Sequence, residues 1–302
     1  MTLSPSSWLQ RLHSAFTASA QLLAPRSAAC LLCGKTQSAA RSAASHTHPQ
    51  LPTQLRQSAC GACLSAMPWL TRIYCSKCGR GISCDDCIRS PHHAFVYNRS
   101  AVQYNEAMRA LLAQYKYRGN EQLGPVLGDM LIPAFEAMTY DIAQRCDKPA
   151  DSRAGRGRAK QNTRYSDYWH AITYVPISRE RAMDRGFNQA EQLASALASR
   201  YQLPLLHLLV RERHTEKQSF KTRLERLRDT RQLFNINAAE LQKLHIHPAS
   251  APASASSENR MLRVLLIDDI YTTGSTAEAC SQVLRQHREL PMEIYVLTWA
   301  RS

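Results

Sequence analysis

From Val264 to Thr276 the chain reads V-L-L-I-D-D-I-Y-T-T-G-S-T, and this stretch decides the fold. Its first four residues are apolar and partly β-branched, a pattern typical of a parallel strand that is buried on both faces. We expect the strand to end at two carboxylates, Asp268 and Asp269. Small hydroxyl residues and a glycine follow, and a helical pattern begins at residue 277. This order of strand, turn and helix predicts an α/β protein.

The turn after the carboxylates has the composition of an anion-binding loop. In such a strand-to-helix turn, successive backbone N–H groups can converge on a phosphate at the start of the helix. The two aspartates would repel a phosphate, but as hydrogen-bond acceptors they suit neighbouring sugar hydroxyls. The stretch therefore predicts a ribose 5-phosphate site at the carboxyl end of the strand. The alternative is a strand end with solvated aspartates and an ordinary helix cap. The loop residues are Thr272, Thr273, Gly274, Ser275 and Thr276.

Eight of the ten cysteines are arranged in four C-x-x-C pairs. Each pair directs two sulfurs at one tetrahedral ion, so four pairs predict two structural zinc ions. A glycine follows the first and the third pair, which favours a grouping of neighbouring pairs. An interleaved grouping stays open, because only five residues separate Cys78 from Cys84. The favoured sites are Cys30, Cys33, Cys60 and Cys63 for one ion, and Cys75, Cys78, Cys84 and Cys87 for the other.

Four further motifs accompany the cysteine pairs: K-Y-R-G from residue 116, V-P-I-S from residue 175, R-G-F-N-Q-A from residue 185 and I-D-D-I-Y-T-T-G-S-T from residue 267. The last motif resembles the phosphoribosyl pyrophosphate (PRPP) motif of type I phosphoribosyltransferases. With the other motifs and the cysteine pairs, nearly the whole chain resembles the ComF family of competence-associated, phosphoribosyltransferase-like proteins. The resemblance implies a Rossmann-like parallel sheet of the type I phosphoribosyltransferase kind, with helices on both faces, plus a small N-terminal double zinc ribbon.

The resemblance also implies roles for individual residues. Asp268 and Asp269 would hold the ribose hydroxyls, the loop after them would hold the 5′-phosphate, and Mg²⁺ would accompany PRPP. Purine-salvage enzymes that act on 6-oxopurines carry an aspartate base where this chain has Thr272, which argues against that substrate class. Lys116 and Lys217 are further ligand candidates, although Lys116 and Arg118 could instead complement the dipole of a helix end. The candidates for the pyrophosphate side are Pro176, Ile177, Ser178, Arg179 and Arg185.

The resemblance implies a PRPP-binding protein with a role in DNA uptake (competence) or DNA utilisation. A catalytic protein would transfer the phosphoribosyl group to an acceptor that the sequence does not identify. The alternative is a non-catalytic protein that senses PRPP and contacts single-stranded DNA or a DNA-uptake partner through its zinc module. A zinc-dependent scaffold with a vestigial site is a third possibility. Thr2, not Cys, follows Met1, so the N-terminal nucleophile of amidophosphoribosyltransferases is not expected.

Length and charge agree with this organisation. We expect an N-terminal helix and the double zinc ribbon over residues 1–92, and the phosphoribosyltransferase-like domain over residues 93–302 with insertions near 145–164 and 248–260. Lys and Arg number 38 and Asp and Glu 24, a formal net charge of +14 that suits an anionic partner. No apolar stretch approaches the roughly 20 residues of a membrane span. No signal peptide is recognisable, which predicts a cytoplasmic protein with reduced cysteines.

Patterning predicts the remaining elements. Asn105 is a plausible N-cap for a helix whose buried face carries Met108, Leu111, Leu112 and Tyr115. We expect Cys146 at the surface, Cys280 in the core and His207 in the core or at a sheet edge. His46 and His48 are expected in a solvated loop. The other predicted elements are helices over 8–23, 122–144, 188–201 and 277–287, and strands over 95–98, 171–177, 205–210 and 293–300. For the charged segment over 211–234, the resemblance implies a loop that closes over the pyrophosphate, and the alternative is a solvated charged helix.

Overall fold

The computed structural model describes residues 29–36, 51–89, 91–117, 120–146, 164–211, 233–246, 261–287 and 289–302. The expected helix over residues 8–23 and almost all of the two expected insertions lie outside these ranges. His46, His48, Arg118, Lys217 and nearly all of the charged segment over 211–234 also lie outside them.

A four-stranded parallel sheet forms the centre of the described part of the chain. Its strands lie in the order β1 (Asn98–Gln103), β6 (Met292–Arg301), β5 (Leu262–Tyr271) and β2 (Ala171–Tyr174). All three pairings are parallel. Two short strands, β3 (Leu209–Arg211) and β4 (Phe234–Ile236), form a separate antiparallel pair. The α/β class with a parallel sheet is therefore confirmed.

Helices cover both faces of the sheet. On one face, Leu265 and Ile267 of β5 share a core with the helices after β1 and β2. On the other face, Val264 and Leu266 share a core with the helix after β5. The central strand is thus buried on both sides, as its apolar run predicted. The helices are α1 (Thr53–Ser58), α2 (Gly61–Ala66), α3 (Asp85–Arg89), α4 (Glu106–Tyr117), α5 (Leu123–Cys146), α6 (Arg179–Arg185), α7 (Gln189–Tyr201), α8 (Ala238–Ile246) and α9 (Ser275–Arg285), with a 3₁₀ turn at Tyr165–Asp167.

Side-chain caps fix where α4 and α7 begin. Asn105 Oδ1 accepts a hydrogen bond from the backbone N–H of Met108 at 2.9 Å, which confirms the predicted cap of α4. The buried Asn188 caps α7 by accepting from the N–H of Ala190, and its Nδ2 donates to the carbonyl of Val175. This second contact holds the start of α7 against the end of β2.

The two cysteine clusters pack on opposite faces of the sheet. Cys30 and Leu64 share the core of α5 and α7, whereas Cys78 and Cys84 share the core of α9. The segment between the clusters follows the free edge of β1, where Trp69 forms an antiparallel bridge with Val102. The cysteine segments and the sheet therefore share both apolar cores. A domain boundary near residue 92 stays a prediction.

A buried polar layer joins the second cluster to the sheet. Asn98 Nδ2 donates to the carbonyl of Cys78 at 3.0 Å and to Ser100 Oγ at 3.1 Å. Ser100 Oγ lies 2.6 Å from Thr298 Oγ1, and all three side chains are buried. Because these polar groups satisfy one another, the cluster is held in one orientation on the sheet.

The structure corrects the predicted end of the central strand. β5 does not stop at Asp268 and Asp269 but continues to Tyr271. The reason is its neighbour: β6 also has ten residues, and their pairing runs to Tyr271 opposite Arg301. Asp268 and Asp269 therefore lie near the end of the paired part of β5. Backbone hydrogen bonds to β6 restrict these residues more than a loop would.

Other predicted boundaries shift by a few residues. Residues 95–97 only lead into β1, and β2 ends at Tyr174 because the chain turns away toward Pro176, which has no N–H for the ladder. The expected strand over 205–210 is mostly irregular, because Leu205 makes only a single parallel bridge to Ile172 before β3 begins. Cys146 is exposed and Cys280 is buried, as predicted. Within the described residues no helix combines the length and the apolar character needed to cross a membrane.

Candidate functional site

The two carboxylates near the end of β5 have different partners. Asp269 forms an ion pair with Lys116 Nζ from the last turn of α4, and the two side chains are only 18% and 14% exposed. The charge of Asp269 also contributes, after burial, to the raised pKa of Tyr115. Asp269 thus faces α4, and Lys116, a predicted ligand residue, lies against a carboxylate.

Asp268, like Asp269, is partly buried. Its Oδ1 accepts a hydrogen bond from the backbone N–H of Asp269 at 2.8 Å. Burial, and next the charge of Asp269, raise the pKa of Asp268 to about 8, although that N–H and Lys116 act in the opposite direction. Asp268 also helps to raise the pKa of the buried Cys280 thiol on α9, after burial itself. Asp268 therefore lies on the face of β5 that α9 covers, and its burial there disfavours ionisation.

The hydroxyl-rich loop connects β5 directly to α9. Gly274 has a positive φ of 83° and precedes Ser275, the first residue of the helix. Thr273 Oγ1 and Ser275 Oγ lie 2.7 Å apart, and the N–H of Ser275 points at Thr273 Oγ1. Thr272 and Thr273 are exposed. The predicted turn is confirmed as a solvent-facing strand-to-helix loop, the geometry in which backbone N–H groups can bind an anion.

The second predicted loop lies at the same edge of the sheet. Tyr174 pairs with Ile267, so the loop after β2 begins beside Asp268. Ser178 caps α6, while Arg179 at the start of that helix is exposed. Arg185 NH1 donates to Gln189 Oε1 at 2.9 Å. The structure therefore brings Pro176, Ile177, Ser178 and Arg179 to the strand ends that carry the two carboxylates.

Three basic or aromatic side chains near this edge were not predicted. Arg301 at the end of β6 donates from NH1 to the carbonyl of Thr272 at 2.9 Å, and its guanidinium lies 4.7 Å from the ring centroid of Tyr271. Arg211 ends β3; burial, and then the nearby charge of Arg181, lower its pKa. The sequence signal that could have pointed to Arg301 is its place directly after the apolar run of β6, at the carboxyl end of a buried strand.

His207 lies at the sheet edge, one of the two predicted positions. Its ring is exposed, and its Nδ1 lies 2.7 Å from the hydroxyl of Tyr174. Its Nε2 is 3.9 Å from a carboxylate oxygen of Glu191 on α7. Burial, followed by the charge of Glu191, raises the pKa of Tyr174. These contacts account for His207 as a structural residue of the edge.

The four C-x-x-C pairs form the two predicted clusters. Within each cluster all four sulfur atoms lie within 4.8 Å of one another. Cys33 Sγ is 3.9 Å from Cys60 Sγ, and Cys78 Sγ is 3.5 Å from Cys84 Sγ. A tetrahedral zinc site with Zn–S bonds of about 2.3 Å requires sulfur separations of roughly 3.8 Å. Both clusters fit zinc, and the favoured grouping of neighbouring pairs is confirmed.

The electrostatics of the thiols also favour a bound cation. Burial opposes ionisation of Cys30, but hydrogen bonds from the backbone at Cys60, Cys33 and Leu32 outweigh it and lower the pKa to about 7. Burial and the neighbouring thiols raise the pKa of Cys63 and of Cys87. Four adjacent thiols cannot all ionise unaided, so a divalent ion would supply the charge that lets all of them act as thiolate ligands.

Comparisons with known proteins agree with these observations. Competence protein ComFC of Bacillus subtilis is 29% identical over 238 residues, which cover 76% of this chain and 78% of that protein. Competence protein ComFC of Streptococcus pneumoniae is 25% identical over 261 residues, 85% of this chain and 93% of that protein. Competence protein F of Haemophilus influenzae is 31% identical over 117 residues, 38% of this chain and 44% of that protein. No protein-family model matches the chain.

The fold and the clusters define a class: an α/β protein with a parallel sheet, joined to two four-cysteine clusters that could each hold a metal ion. The similarity to the three competence proteins narrows this class, because two of the alignments cover most of the chain. Over most of its length the chain is thus similar to proteins named competence protein ComFC.

Proposed function

We propose that this protein binds PRPP at the carboxyl edge of its sheet. The observation that carries the proposal is the convergence of two loops: the hydroxyl-rich loop after β5 and the loop after β2 begin beside the same carboxylates. PRPP is a ribose with phosphate groups at two positions, so it needs anion sites on both sides of a hydroxyl-binding site. Few small metabolites require that combination.

Each part of the edge suits one part of the ligand. Asp268 and Asp269 would accept hydrogen bonds from the ribose hydroxyls, and residues 272–276 would bind the 5′-phosphate. Residues 176–178, with Arg179 and Arg185, would bind the pyrophosphate. Mg²⁺ would enter as the complex with PRPP, and carboxylate oxygens are the ligands it prefers in proteins. Lys116 would be released from Asp269, or would share it, when the ribose binds.

We further propose that the protein functions in competence, that is, in DNA uptake or utilisation. Its relatives carry the name competence protein. If it is catalytic, it transfers the phosphoribosyl group: the C1–O bond to pyrophosphate breaks and a bond from C1 to an acceptor forms. Arg179 and Arg185 would stabilise the charge on the leaving pyrophosphate, so positioning and electrostatics would dominate over acid–base chemistry.

A second candidate function, binding without catalysis, is favoured by the surface of the second cysteine cluster. Tyr74, Ile82 and Ile88 are 69%, 66% and 72% exposed there. Exposed apolar groups beside basic residues such as Arg72 and Arg80 suit a nucleic-acid strand or a protein partner. Binding of single-stranded DNA by such a surface would be electrostatic and insensitive to sequence, so its affinity should fall steeply with salt.

Calorimetric titration tests the first proposal. The zinc-loaded protein is titrated with Mg²⁺–PRPP, and separately with ribose 5-phosphate and with Mg²⁺–pyrophosphate. Because the site would engage both ends, PRPP should bind at least about tenfold more tightly than either fragment. Release of pyrophosphate with a panel of acceptors then distinguishes transfer from sensing. Failure to detect binding of PRPP, or equal affinity for PRPP and one fragment, would refute the proposal.

A further inference from the structure

We propose that Arg301 couples the second cysteine cluster to the phosphate-binding loop, so that metal in the cluster and ligand in the loop stabilise each other. This inference rests on the proposed PRPP site and explains why the metal module is built onto the sheet. Arg301 is a positioning residue in this scheme, because it contacts neither the metal nor the ligand.

The guanidinium of Arg301 reaches both sites. NH2 lies 3.5 Å from Cys78 Sγ, one of the four sulfurs of the second cluster. NH1 donates to the carbonyl of Thr272 at 2.9 Å and lies 3.3 Å from the carbonyl of Tyr271. The side chain is 3% exposed, so solvent does not compete for these hydrogen bonds. One rigid, planar group therefore joins a metal ligand to the backbone of the loop.

Tyr271 forms a second connection beside the first. Its ring lies under the guanidinium of Arg301 and edge-on to Phe95, with ring centroids 6.2 Å apart. Tyr271 is buried in the same apolar core as Cys78 and Phe95. The hydroxyl end of the same ring packs under the Gly274 turn.

The helix that follows the loop is tied to the same region. Glu278 in the first turn of α9 accepts a hydrogen bond from the backbone N–H of Ala94 at 2.9 Å. Ala94 lies in the segment that leads from the second cluster to β1. The loop is thus held between the cluster side and α9, and its backbone cannot move without disturbing contacts to the cluster.

Charge explains how the two sites would influence each other. A cysteine that ligates zinc is a thiolate, and hydrogen bonds to an ionised acceptor are stronger than those to a neutral thiol. A loaded cluster would therefore hold the guanidinium of Arg301 in place. The fixed guanidinium would hold the Thr272 carbonyl, so that the peptide N–H groups of the loop point toward the phosphate. Such a coupling is reciprocal. If bound metal increases the affinity for the ligand by some factor, bound ligand must increase the affinity for the metal by the same factor.

The rate of thiol modification measures this coupling at each cluster separately. Zinc-loaded protein is treated with a chelator and a maleimide, with and without saturating Mg²⁺–PRPP, and modified cysteines are quantified by peptide mass spectrometry. Couplings between sites are typically about 5- to 150-fold. We expect PRPP to slow modification of Cys78 and Cys84 by a factor in that range, while modification of Cys33 and Cys63 changes little.

Variants of Arg301 identify the residue responsible. Arg301→Met, which keeps the aliphatic stem and removes every donor, should abolish the protection by PRPP. Arg301→Lys, which retains a charge and one donor group, should restore part of it. The matched control is Arg99→Met, because Arg99 also joins the second cluster to an aromatic ring. Its NH1 donates to the carbonyl of Ser76, which lies between Cys75 and Cys78, at 3.0 Å, and its guanidinium lies 4.0 Å from the centroid of the Tyr97 ring. Arg99 pairs with Leu297 on β6, four residues before Arg301 and away from the end of the sheet where the loop lies, so this variant should keep the protection.

The possible failures are distinguishable. If calorimetry detects PRPP binding to the wild type but PRPP does not slow modification of the second cluster, the coupling is refuted and the proposed function stands. Protection that persists in Arg301→Met, or is lost equally in Arg99→Met, would also refute the role of Arg301. If the wild type does not bind PRPP at all, both the proposed function and the coupling are wrong.

Discussion

Replacing Gly274 by alanine should destabilise the protein through two separable effects. The first is conformational: φ is 83° at Gly274, and a left-handed backbone costs an L-residue with a Cβ about 1–2 kcal/mol. The second is steric: an added Cβ would overlap the Tyr271 hydroxyl and lie 2.5 Å from Cζ of that ring. The ring cannot withdraw easily, because Arg301 and Phe95 pack against it.

Gly186 provides the matched control for the steric effect. It has a φ of 79° at the end of α6, and an added Cβ would meet nothing within 4 Å. Alanine also stabilises by about 0.4–1 kcal/mol through the unfolded state, so Gly186→Ala should cost only about 0.5–1 kcal/mol. Overpacking adds about 1–3 kcal/mol, so Gly274→Ala should cost about 1.5–4 kcal/mol.

Urea denaturation of the zinc-loaded wild type and both variants measures the difference in the free energy of unfolding. The account predicts that Gly274→Ala is the more destabilised variant by at least about 1 kcal/mol. If the two glycine variants lose equal stability, the Tyr271 ring does not pack under the turn, and the connection between the loop and the second cluster would be wrong.

Three further predictions concern the metal, the proton and the binding surface. Elemental analysis of protein purified under reducing conditions should find two zinc ions per chain, and one or none would contradict the two-cluster assignment. Because burial raises the pKa of Asp268 to about 8, its ionisation opposes folding, so stability is lost as pH rises from the unfolded value near 4 through about 8. Asp268→Asn should remove that loss. Urea denaturation at a series of pH values should therefore show that the stability of the variant relative to wild type increases between pH 5 and pH 8. A difference in stability that stays constant with pH would show that Asp268 ionises normally. Tyr74→Ala should weaken any binding to single-stranded DNA in fluorescence-anisotropy titrations, whereas Tyr140→Ala, which removes an exposed tyrosine of α5, should not.

Local signals predicted the elements that local contacts build. The N-cap Asn105 and the spacing of Met108, Leu111, Leu112 and Tyr115 predicted α4, because both depend on residues three or four positions apart. Each C-x-x-C turn was predictable for the same reason, because it is local, whereas the pairing of the turns joins residues such as Cys33 and Cys60, 27 positions apart, and required a guess. The strand-to-helix order around Gly274 likewise predicted the loop after β5.

Long-range contacts explain what the sequence did not predict. The end of β5 depends on pairing with β6, which no pattern within β5 reports. The contact between Arg301 and Cys78 joins residues 223 positions apart, and the ion pair of Lys116 with Asp269 joins two different elements. Neither contact could be read from spacing, and the ion pair gives the two neighbouring carboxylates different surroundings.

The most direct test of the central claim is the affinity for Mg²⁺–PRPP of a variant that carries Asp268→Asn and Asp269→Asn. Titrations at about pH 8.5, above the pKa of about 8, keep most of Asp268 ionised in the wild type. Hydrogen bonds to charged groups contribute roughly 1.5–3 kcal/mol each, so losing two should weaken binding by about 3–6 kcal/mol, on the order of 10² to 10⁴ in Kd.

A matched control and a folding control accompany this measurement. Glu293→Gln neutralises a carboxylate at the start of β6, the opposite end of the sheet, and should leave the affinity unchanged. Thermal melts should show that the double variant is folded. The account predicts that calorimetry finds the double variant at least about a hundredfold weaker for PRPP than the wild type and the Glu293→Gln protein. Equal affinity in all three proteins would mean that Asp268 and Asp269 do not bind the ribose, and it would contradict the proposed function.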